Sequence, residues 1–581
     1  MSLIRNLEKE IKTSINNIGY EIDSISLLSS NRKDLGQFQI NESFKLAKKY
    51  KKNPLDIAND IANELNKNNK FIDVSVAQPA FINITLSNSY LTEIINEVDK
   101  DINLLIDKKE EKKIIIDYGG ANVAKALHVG HLRSANIGEA LKRLAKLQGY
   151  NIIGDAHLGD YGRPLGLVIK EIKERYPNLE YFDPSYKGSY ENISLPITNI
   201  DLETIYPIAS QKAKEDEAYL SDARNITTKL QQHERGYYDL WKKIVEISKK
   251  DIKKIYDLLD VDFEIWNGEA DAMEYFDELI EILNSKNLIE ESENAKIVDV
   301  KEENDKEPMP PLMLIKSNDS ISYASTDLAC ILEREKKYNP DEIWYVVDSR
   351  QSLHFKQVFR TIRKTNILKE NQLLEHIGFG TINGPDGKPF KTRDGSAMSL
   401  EKLIDLTKKA TFDKITNTNL TKEEKESISQ TVAIAALKYA DLTPYRETDY
   451  IFEVEKFTNL EGKTGPYLLY STIRIKSLLE KSDINNTKSI NIYTDTEKDI
   501  AKTILTLTNI LDKSLNDKSL NEITDYLYNL NSLYNKFYSE NKILTEEDYN
   551  KKISWLTLSR VVKKINELLL SILAIKIPNK M

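Results

Sequence analysis

Asn122-Val-Ala-Lys125-Ala-Leu-His128-Val-Gly130-His131 lies inside the stretch, Ile114–Tyr150, whose reading decides the fold. An apolar strand, Ile114-Ile-Ile116, feeds a tight Gly119-Gly120 turn and then the His-x-Gly-His step. That step opens into a run of good helix formers, Glu139-Ala-Leu-Lys-Arg-Leu-Ala-Lys-Leu, which stops at Gly149. A strand running into a glycine-flanked helix start points unsatisfied backbone N–H groups at a ligand, so it is a candidate anion or nucleotide site. The two imidazoles give short neutral donors on one side of the helix, and the glycine lets a flat group approach the backbone.

With 581 residues the chain exceeds one core, and length alone suggests about three to four domains. At 40% hydrophobic and 30% charged, the composition is that of a soluble globular protein. It contains no twenty-residue apolar run. Charges run through Met1–Glu10, where a signal peptide needs an apolar core, so a cytoplasmic protein without a membrane role is expected. The single cysteine, Cys330, excludes an intrachain disulfide and a thiolate metal cluster. A net charge of -9 argues against a nonspecific nucleic-acid coat but not against a local basic track.

The pattern divides the chain. Residues 1–106 read as a compact α+β unit: helices over Met1–Asn17, Gln39–Tyr50 and, opened by Pro54, Leu55–Leu65, with strands at Phe71–Val76 and Phe81–Leu86. Asp107–Lys113 is a charged, solvated linker. Residues 107–380 alternate strand and helix as a doubly wound parallel α/β domain, with a helical insertion over about 170–260. Its later strands are expected at Lys296–Val300, Pro311–Ile315 and Ile343–Val347. Residues 381–460 form a turn-rich and helical connecting region, and 461–581 an all-helical bundle at 3.6 periodicity. The fold class is therefore multidomain α/β.

Of six histidines, His128, His131 and His157 lie in two glycine-rich loops, His354 just past a strand, and His376 before Gly378-Phe379-Gly380. No carboxylate or thiolate stands at a matching short spacing, so phosphate suits this set better than a protein-built metal site.

Asn122 to Ser134 closely resembles the nucleotide signature of class I aminoacyl-tRNA synthetases, and the longer string that of the arginyl-tRNA synthetases. Eight ordered motifs carry the likeness: Gly159-Asp-Tyr-Gly162, Tyr323-Ala-Ser-Thr-Asp327, Asp348-Ser-Arg-Gln351-Ser-Leu-His354, His376-Ile-Gly-Phe-Gly380, Phe390-Lys-Thr-Arg-Asp-Gly395, Ala436-Leu-Lys-Tyr439, Glu461-Gly-Lys-Thr-Gly-Pro-Tyr467 and Ile577-Pro-Asn-Lys-Met581. The resemblance implies a Rossmann-like catalytic domain with insertions, an N-terminal tRNA-binding domain and a C-terminal anticodon-binding bundle. It implies that His128, Gly130 and His131 bind ATP and stabilise the α-phosphate, and that Gly378 and Phe379 form the adenine-side strand. Asn122 is similar to the residue that positions the amino acid's polar ends. Tyr323, Asp327, Gln351 and Glu269 match the family's contacts to arginine.

The chemistry of these residues agrees. Arginine is a planar, permanently charged fork whose N–H donors a carboxylate accepts in pairs, and a tyrosine ring can flank its flat face. Tyr323 and Asp327 are four apart, on one face of a helix; Asp327 also reads as an ordinary N-cap beside Ser325 and Thr326. A fully paired fork rejects apolar amino acids by ~10⁴–10⁵ without a second sieve, and lysine offers only a point charge. No insertion reads as an editing domain.

The chain departs from its class where many members carry a Lys-Met-Ser-Lys-Ser loop; here that loop is Phe390-Lys391-Thr-Arg393-Asp-Gly-Ser396. Within the arginyl family a lysine ahead of the histidine motif is held to take over its role, which here is Lys125. Lys391 and Arg393 are rival suppliers of that charge. Other departures are Tyr161 and Arg163-Pro164 in the second loop, Asn579-Lys580 before the final Met, and Gly36-Gln37-Phe38-Gln39 in the N-terminal unit. On the resemblance, Phe38 and Gln39 touch the outer corner of the tRNA. Tyr467, Tyr470, Arg474 and Lys476 fall on one helix suited to splayed anticodon bases, and Arg560 is a further tRNA candidate; each of these tyrosines also reads as core.

The expected activity is ATP-dependent formation of arginyl-adenylate from L-arginine, then transfer of arginine to the 3′-terminal ribose of tRNA(Arg). Mg²⁺ is expected on the ATP phosphates, and the chain is expected to be a monomer. A related enzyme acting on a small acceptor has little need of the first hundred residues or of Thr431–Met581. A noncatalytic RNA-binding descendant has no reason to keep His128, Gly130 and His131 together.

Overall fold

The computed structural model describes residues 1–581 except 31, 33, 318–319, 389, 391–397, 417–418 and 483–489. Four parallel strands carry the centre, in the order Leu373–His376, Glu342–Tyr345, Lys113–Asp117, Asn151–Asp155. Ile115 sits opposite Ile343 on one side and Ile153 on the other. The chain leaves the middle strand Lys113–Asp117 first to one side and later to the other. The order therefore reverses between it and Glu342–Tyr345, which opens a crevice at their C-terminal ends. Into that crevice run the turn after Asp117 and the segment Val346–Asp348. Ile114, Ile115 and Ile116 are fully buried, as a strand covered on both faces requires.

Two expected members of this sheet are elsewhere. Ala295–Val298 and Leu312–Ile315 pair antiparallel with each other, and Glu290–Ser292 completes a separate three-stranded sheet. The reason is local: Glu293 and Asn294 both take left-handed backbone, φ 51° and 61°, and close a two-residue hairpin. A hairpin partner lies antiparallel and cannot enter a parallel sheet through a crossover. The insertion is built from Asn199–Glu215, Glu217–Gln231 and Arg235–Leu258.

The N-terminal unit holds a four-stranded antiparallel sheet, with two short strands beyond those read from sequence, Leu28–Ser29 and Phe38–Ile40. Phe38 and Ile40 are both fully buried, the period of a strand, so the helix expected from Gln39 begins only at Glu42. Pro54 opens its helix, with the Asn53 side chain accepting from Leu55 N.

The helix Lys422–Leu442 works as a strut. It packs on Leu400–Lys414 and the histidine-bearing helix Val129–Leu147 on one side, and on Gly465–Glu480 of the C-terminal bundle on the other. The bundle continues through Asp495–Leu505, Leu507–Asn516, Asn521–Glu540 and Tyr549–Ile572. It also meets the N-terminal unit, where Asp99 is gripped by Arg560 and Lys564. Among the described residues no helix is long and apolar enough to cross a membrane.

Candidate active site

The helix Val129–Leu147 starts on its own histidines. His128 is the N-cap: its Nδ1 accepts from Gly130 N at 3.0 Å, and His131 Nδ1 accepts from His128 N at 3.0 Å. Each ring therefore spends its inner nitrogen as an acceptor, and in the neutral form its proton sits on Nε2, which is left as a donor. Loss of water around the rings lowers both imidazoles. His131 falls to about 3, with His128 as the next cause; for His128 the next causes are Arg350 and Lys125. The rings lie 3.9 Å apart, and a Cβ on Gly130 would stand 2.8 Å from His128 Cε1, so any larger residue there would push the His128 ring from its place.

A cavity of about 200 Å³ opens beside this helix start, walled by Val129, Phe379, Ile382, Phe390 and Met398, with Arg133, Asp348 and Arg350 among its polar groups. Gly378 and Phe379 continue the edge strand: Ser349 N donates to Phe379 O, and Arg446 donates to Gly378 O. Arg133 is 1% exposed, 2.9 Å from Asp441 on the strut helix, and lies over the Phe379 and Tyr450 rings. Phe390 and Met398 bracket residues 391–397 and both line the cavity; Lys391 and Arg393 themselves lie outside the described residues. Lys125 sets its ammonium 4.2 Å above the Tyr206 ring of the insertion.

The crevice's other half is acidic. Asn122 pairs with Gly159, where a Cβ would stand 2.4 Å from Asn122 Oδ1, so glycine there leaves room for the amide. Ile265–Glu269 runs beside Asp155–Leu158, with Glu269 N bonded to Leu158 O. This places Glu269 at the crevice as the first residue of a short helix. Burial, then the charges of Asp327 and Asp160, push its carboxyl up to about 8, against the opposing pull of His157. Asp160 itself is buried and pushed up to about 6, burial again leading.

Tyr323 and Asp327 sit on the helix Tyr323–Tyr338, whose N-cap is Ser322, accepting from Ser325 N. Asp327 is therefore not the cap; its Oδ2 lies 2.6 Å from His354 Nε2. Tyr323 is 58% exposed, and Glu269 is the first charge felt by its phenol after burial. Gln351 is exposed at the end of the turn leading into Ser352–Thr365. Beneath the floor, the buried Arg334 donates to Asp117 and Asp155, both at 2.6 Å, tying together the ends of two sheet strands.

A larger cavity, about 340 Å³, lies behind Asp160 and Ala270. Asp160, Asp271, Glu274 and Asp277 line it and no Lys or Arg does, so its field repels phosphate.

The remaining tRNA candidates separate. Phe38 is core, with Gln39 half-buried beside it. Tyr467 OH accepts from Asn535, and Arg474 bonds the same Asn535 while lying 4.5 Å from the Tyr538 ring. Arg474, Tyr470 and Lys476 line a cavity of about 300 Å³ with the last residues, Asn579–Met581. Arg560 makes a two-pronged pair with Asp99 at 2.8 and 2.8 Å, and its Nη2 also donates to Thr557 Oγ1 at 3.1 Å, so neither edge of its fork is free. Local pattern missed Tyr206, Asp160, Arg133 and the His354–Asp327 pair. All four depend on contacts between segments far apart in the chain.

A family model described as tRNA synthetases class I (R), catalytic domain, matches residues 93–454. An arginyl tRNA synthetase N-terminal domain model matches 5–86, and a DALR anticodon binding domain model 468–581. Over all of both chains the sequence is 43% identical to a protein of Alkaliphilus oremlandii named arginine–tRNA ligase, and 40% identical to one of that name from Agathobacter rectalis. The arginyl-tRNA synthetase structure from Plasmodium falciparum superposes with a TM-score of 0.81 at 25% identity, covering all of both chains. That of Thermus thermophilus reaches 0.78 at 17% identity, also over all of both chains, and supports the fold alone.

Proposed function

The chain belongs to the arginyl-tRNA synthetase family of class I, and on that premise we propose how its residues divide the work of the reaction. The activity is that of an arginine–tRNA ligase: arginine and ATP give arginyl-adenylate and diphosphate, and the arginyl group then passes to the 3′-terminal ribose of tRNA. In the first step an arginine carboxylate oxygen bonds to the α-phosphorus and the bond to the diphosphate oxygen breaks. In the second, a ribose hydroxyl oxygen bonds to the arginyl carbonyl and AMP leaves. No side chain forms a covalent intermediate, so rate comes from positioning and charge stabilisation.

Arginine's guanidinium enters between Asp327 and Glu269, with Tyr323 along its flat face and Gln351 and Asn122 toward the polar end. The electrostatics of Glu269 and Tyr323 support this, since Asp327 raises the Glu269 carboxyl and Glu269 in turn raises the Tyr323 phenol, and an arriving cation offsets both. His354 holds Asp327 in place from behind. ATP takes the cavity beside His128, with its base against Phe379 and Gly378 and its phosphates under the Nε2–H donors of His128 and His131. Lys125 supplies positive charge close to that pair, which supports it as a stand-in for the missing loop lysine. Mg²⁺ is carried on the phosphates: among the described residues the carboxylate of this cavity, Asp348, is already clamped by Arg350, and the other charged groups there are cations, which seek phosphate oxygen rather than a hard metal ion. The cavity of Arg474, Tyr470 and the C-terminal residues receives an anticodon base. In this reading the working unit is a monomer in the cytoplasm.

The observation that carries the arginine assignment is that Asp327, held 2.6 Å from His354, lies near enough to Glu269 to raise its carboxyl. Asp327→Ala, assayed by ATP–pyrophosphate exchange with tRNA present, is expected to raise the arginine KM by at least a hundredfold and leave the ATP KM within threefold. Equal damage to both constants refutes the assignment.

A further inference from the structure

We propose that Arg350 is a second phosphate-binding cation of this site, presenting the free edge of its guanidinium to the ATP phosphates. This rests on reading the cavity beside His128 as the ATP site. Among the described residues, that cavity is lined by two permanent cations, Arg133 and Arg350. Arg133 cannot follow a ligand: it is 1% exposed, sits 2.9 Å from Asp441 and donates to Thr448 O. The Arg350 side chain is 77% exposed at the rim.

Its orientation is set rather than free. Arg350 Nε donates to Asp348 Oδ1 at 2.8 Å and Nη2 to Asp348 Oδ2 at 2.6 Å, while Asp348 Oδ1 also accepts from Arg350 N. A guanidinium has five N–H donors, and this clamp takes the Nε/Nη2 edge with two of them. The Nη1/Nη2 edge, with both Nη1 hydrogens, has no partner among the described residues. That edge is the right width for two phosphate oxygens, the geometry in which arginine outperforms lysine. Asp348 thus acts as a positioning residue, and its own place is fixed by pairing with Phe379 in the cavity wall. Arg350 and His128 line the same cavity, and the charge of Arg350 is felt at the His128 ring ahead of that of Lys125.

The test compares Arg350→Gln and Arg350→Lys with the unaltered chain in ATP–pyrophosphate exchange with tRNA present. It also uses adenosine as a competitive inhibitor against ATP and inorganic pyrophosphate as a binding probe. Arg350→Gln is expected to raise the ATP KM and the pyrophosphate dissociation constant at least tenfold, with the adenosine inhibition constant and arginine KM within twofold. Arg350→Lys is expected to recover part of the loss, because it keeps the charge and loses the fork. An ATP KM within twofold in Arg350→Gln overturns the proposal, as does adenosine binding weakened as much as ATP binding. Where Arg350→Gln fails to fold, Arg350→Lys decides by the same constants, and wild-type values for both ATP and pyrophosphate refute the fork. His128→Asn separates the two levels: ATP use lost there but kept in Arg350→Gln refutes only the role of Arg350. ATP use kept in both refutes the cavity reading too.

Discussion

Glu269 waits for its substrate as an acid. With its carboxyl near 8, it is mostly protonated at pH 7, and a guanidinium placed between it and Asp327 pulls it back to the carboxylate. Arginine binding then releases close to one proton at pH 7. The sign follows: below pH 8 the free site binds a proton that the complex does not, so arginine affinity rises with pH by up to about tenfold per unit and levels off above 8. Asp160, near 6, adds to the slope only at the acid end. Calorimetric titration of arginine from pH 6.5 to 8.5 in buffers of different ionisation enthalpy is expected to show this release, and Glu269→Gln to abolish it. A flat profile in the unaltered chain refutes the protonated resting state. Sequence could name Glu269 through Asn267-Gly-Glu-Ala, but not its ionisation. That comes first from burial and then from Asp327 and Asp160, carboxylates that only the folded sheet brings to the same crevice.

At the scale of the element, the start of the histidine helix joins folding to chemistry. The strand, the glycines and the helix start were legible in Ile114–Tyr150, because periodicity and glycine spacing are local properties. That both imidazoles cap the helix was not legible, since ring orientation is set by packing. The same limit explains the two strands assigned to the wrong sheet: Ala295–Val298 and Leu312–Ile315 have the right composition, but the Glu293-Asn294 turn sends them antiparallel. The cap yields a prediction in which two functions of one ring come apart. Asn at 131 keeps an acceptor where Nδ1 was and has nothing in place of the Nε2 donor. His131→Asn is therefore expected to melt within a few degrees of the unaltered chain while exchange falls by about 10²–10³, the usual cost of one transition-state donor. His131→Ala, which loses both, should add about 1 kcal/mol of destabilisation, typical of a lost N-cap. Equal stability loss in the two variants refutes the capping role.

Across the whole molecule, the first and last units are held together by charge, and this decides what Arg560 is for. Asp99 is 4% exposed at its side chain and lies against both Arg560 and Lys564, 24% and 35% exposed. Burial raises the Asp99 carboxyl, yet the two cations outweigh it and hold the pKa below its ordinary value. Stability from this contact is therefore present above the unfolded pKa near 4 and lost as pH falls below it. Arg5 reaching Asp512, and Thr508 donating to Leu105 O, extend the same seam. Breaking a fully buried pair costs about 3–5 kcal/mol; with both cations partly in water, Asp99→Ala is expected to cost about 2–4. If Arg560 serves the seam, Arg560→Met lowers the unfolding midpoint and exposes the linker 107–113 to protease. The Asp99→Ala/Arg560→Met double variant should then be no less stable than the worse single variant, because the uncompensated charge has gone. If Arg560 instead meets RNA phosphate, Arg560→Met leaves stability unchanged, raises the tRNA KM and flattens its salt dependence. Asp99 fills one edge of the fork at 2.8 Å on both prongs, and Thr557 takes a further bond from Nη2. The expected outcome is the first: urea unfolding should detect Arg560→Met, and exchange without the acceptor step should change less than aminoacylation, because Arg560 does not line the nucleotide cavity.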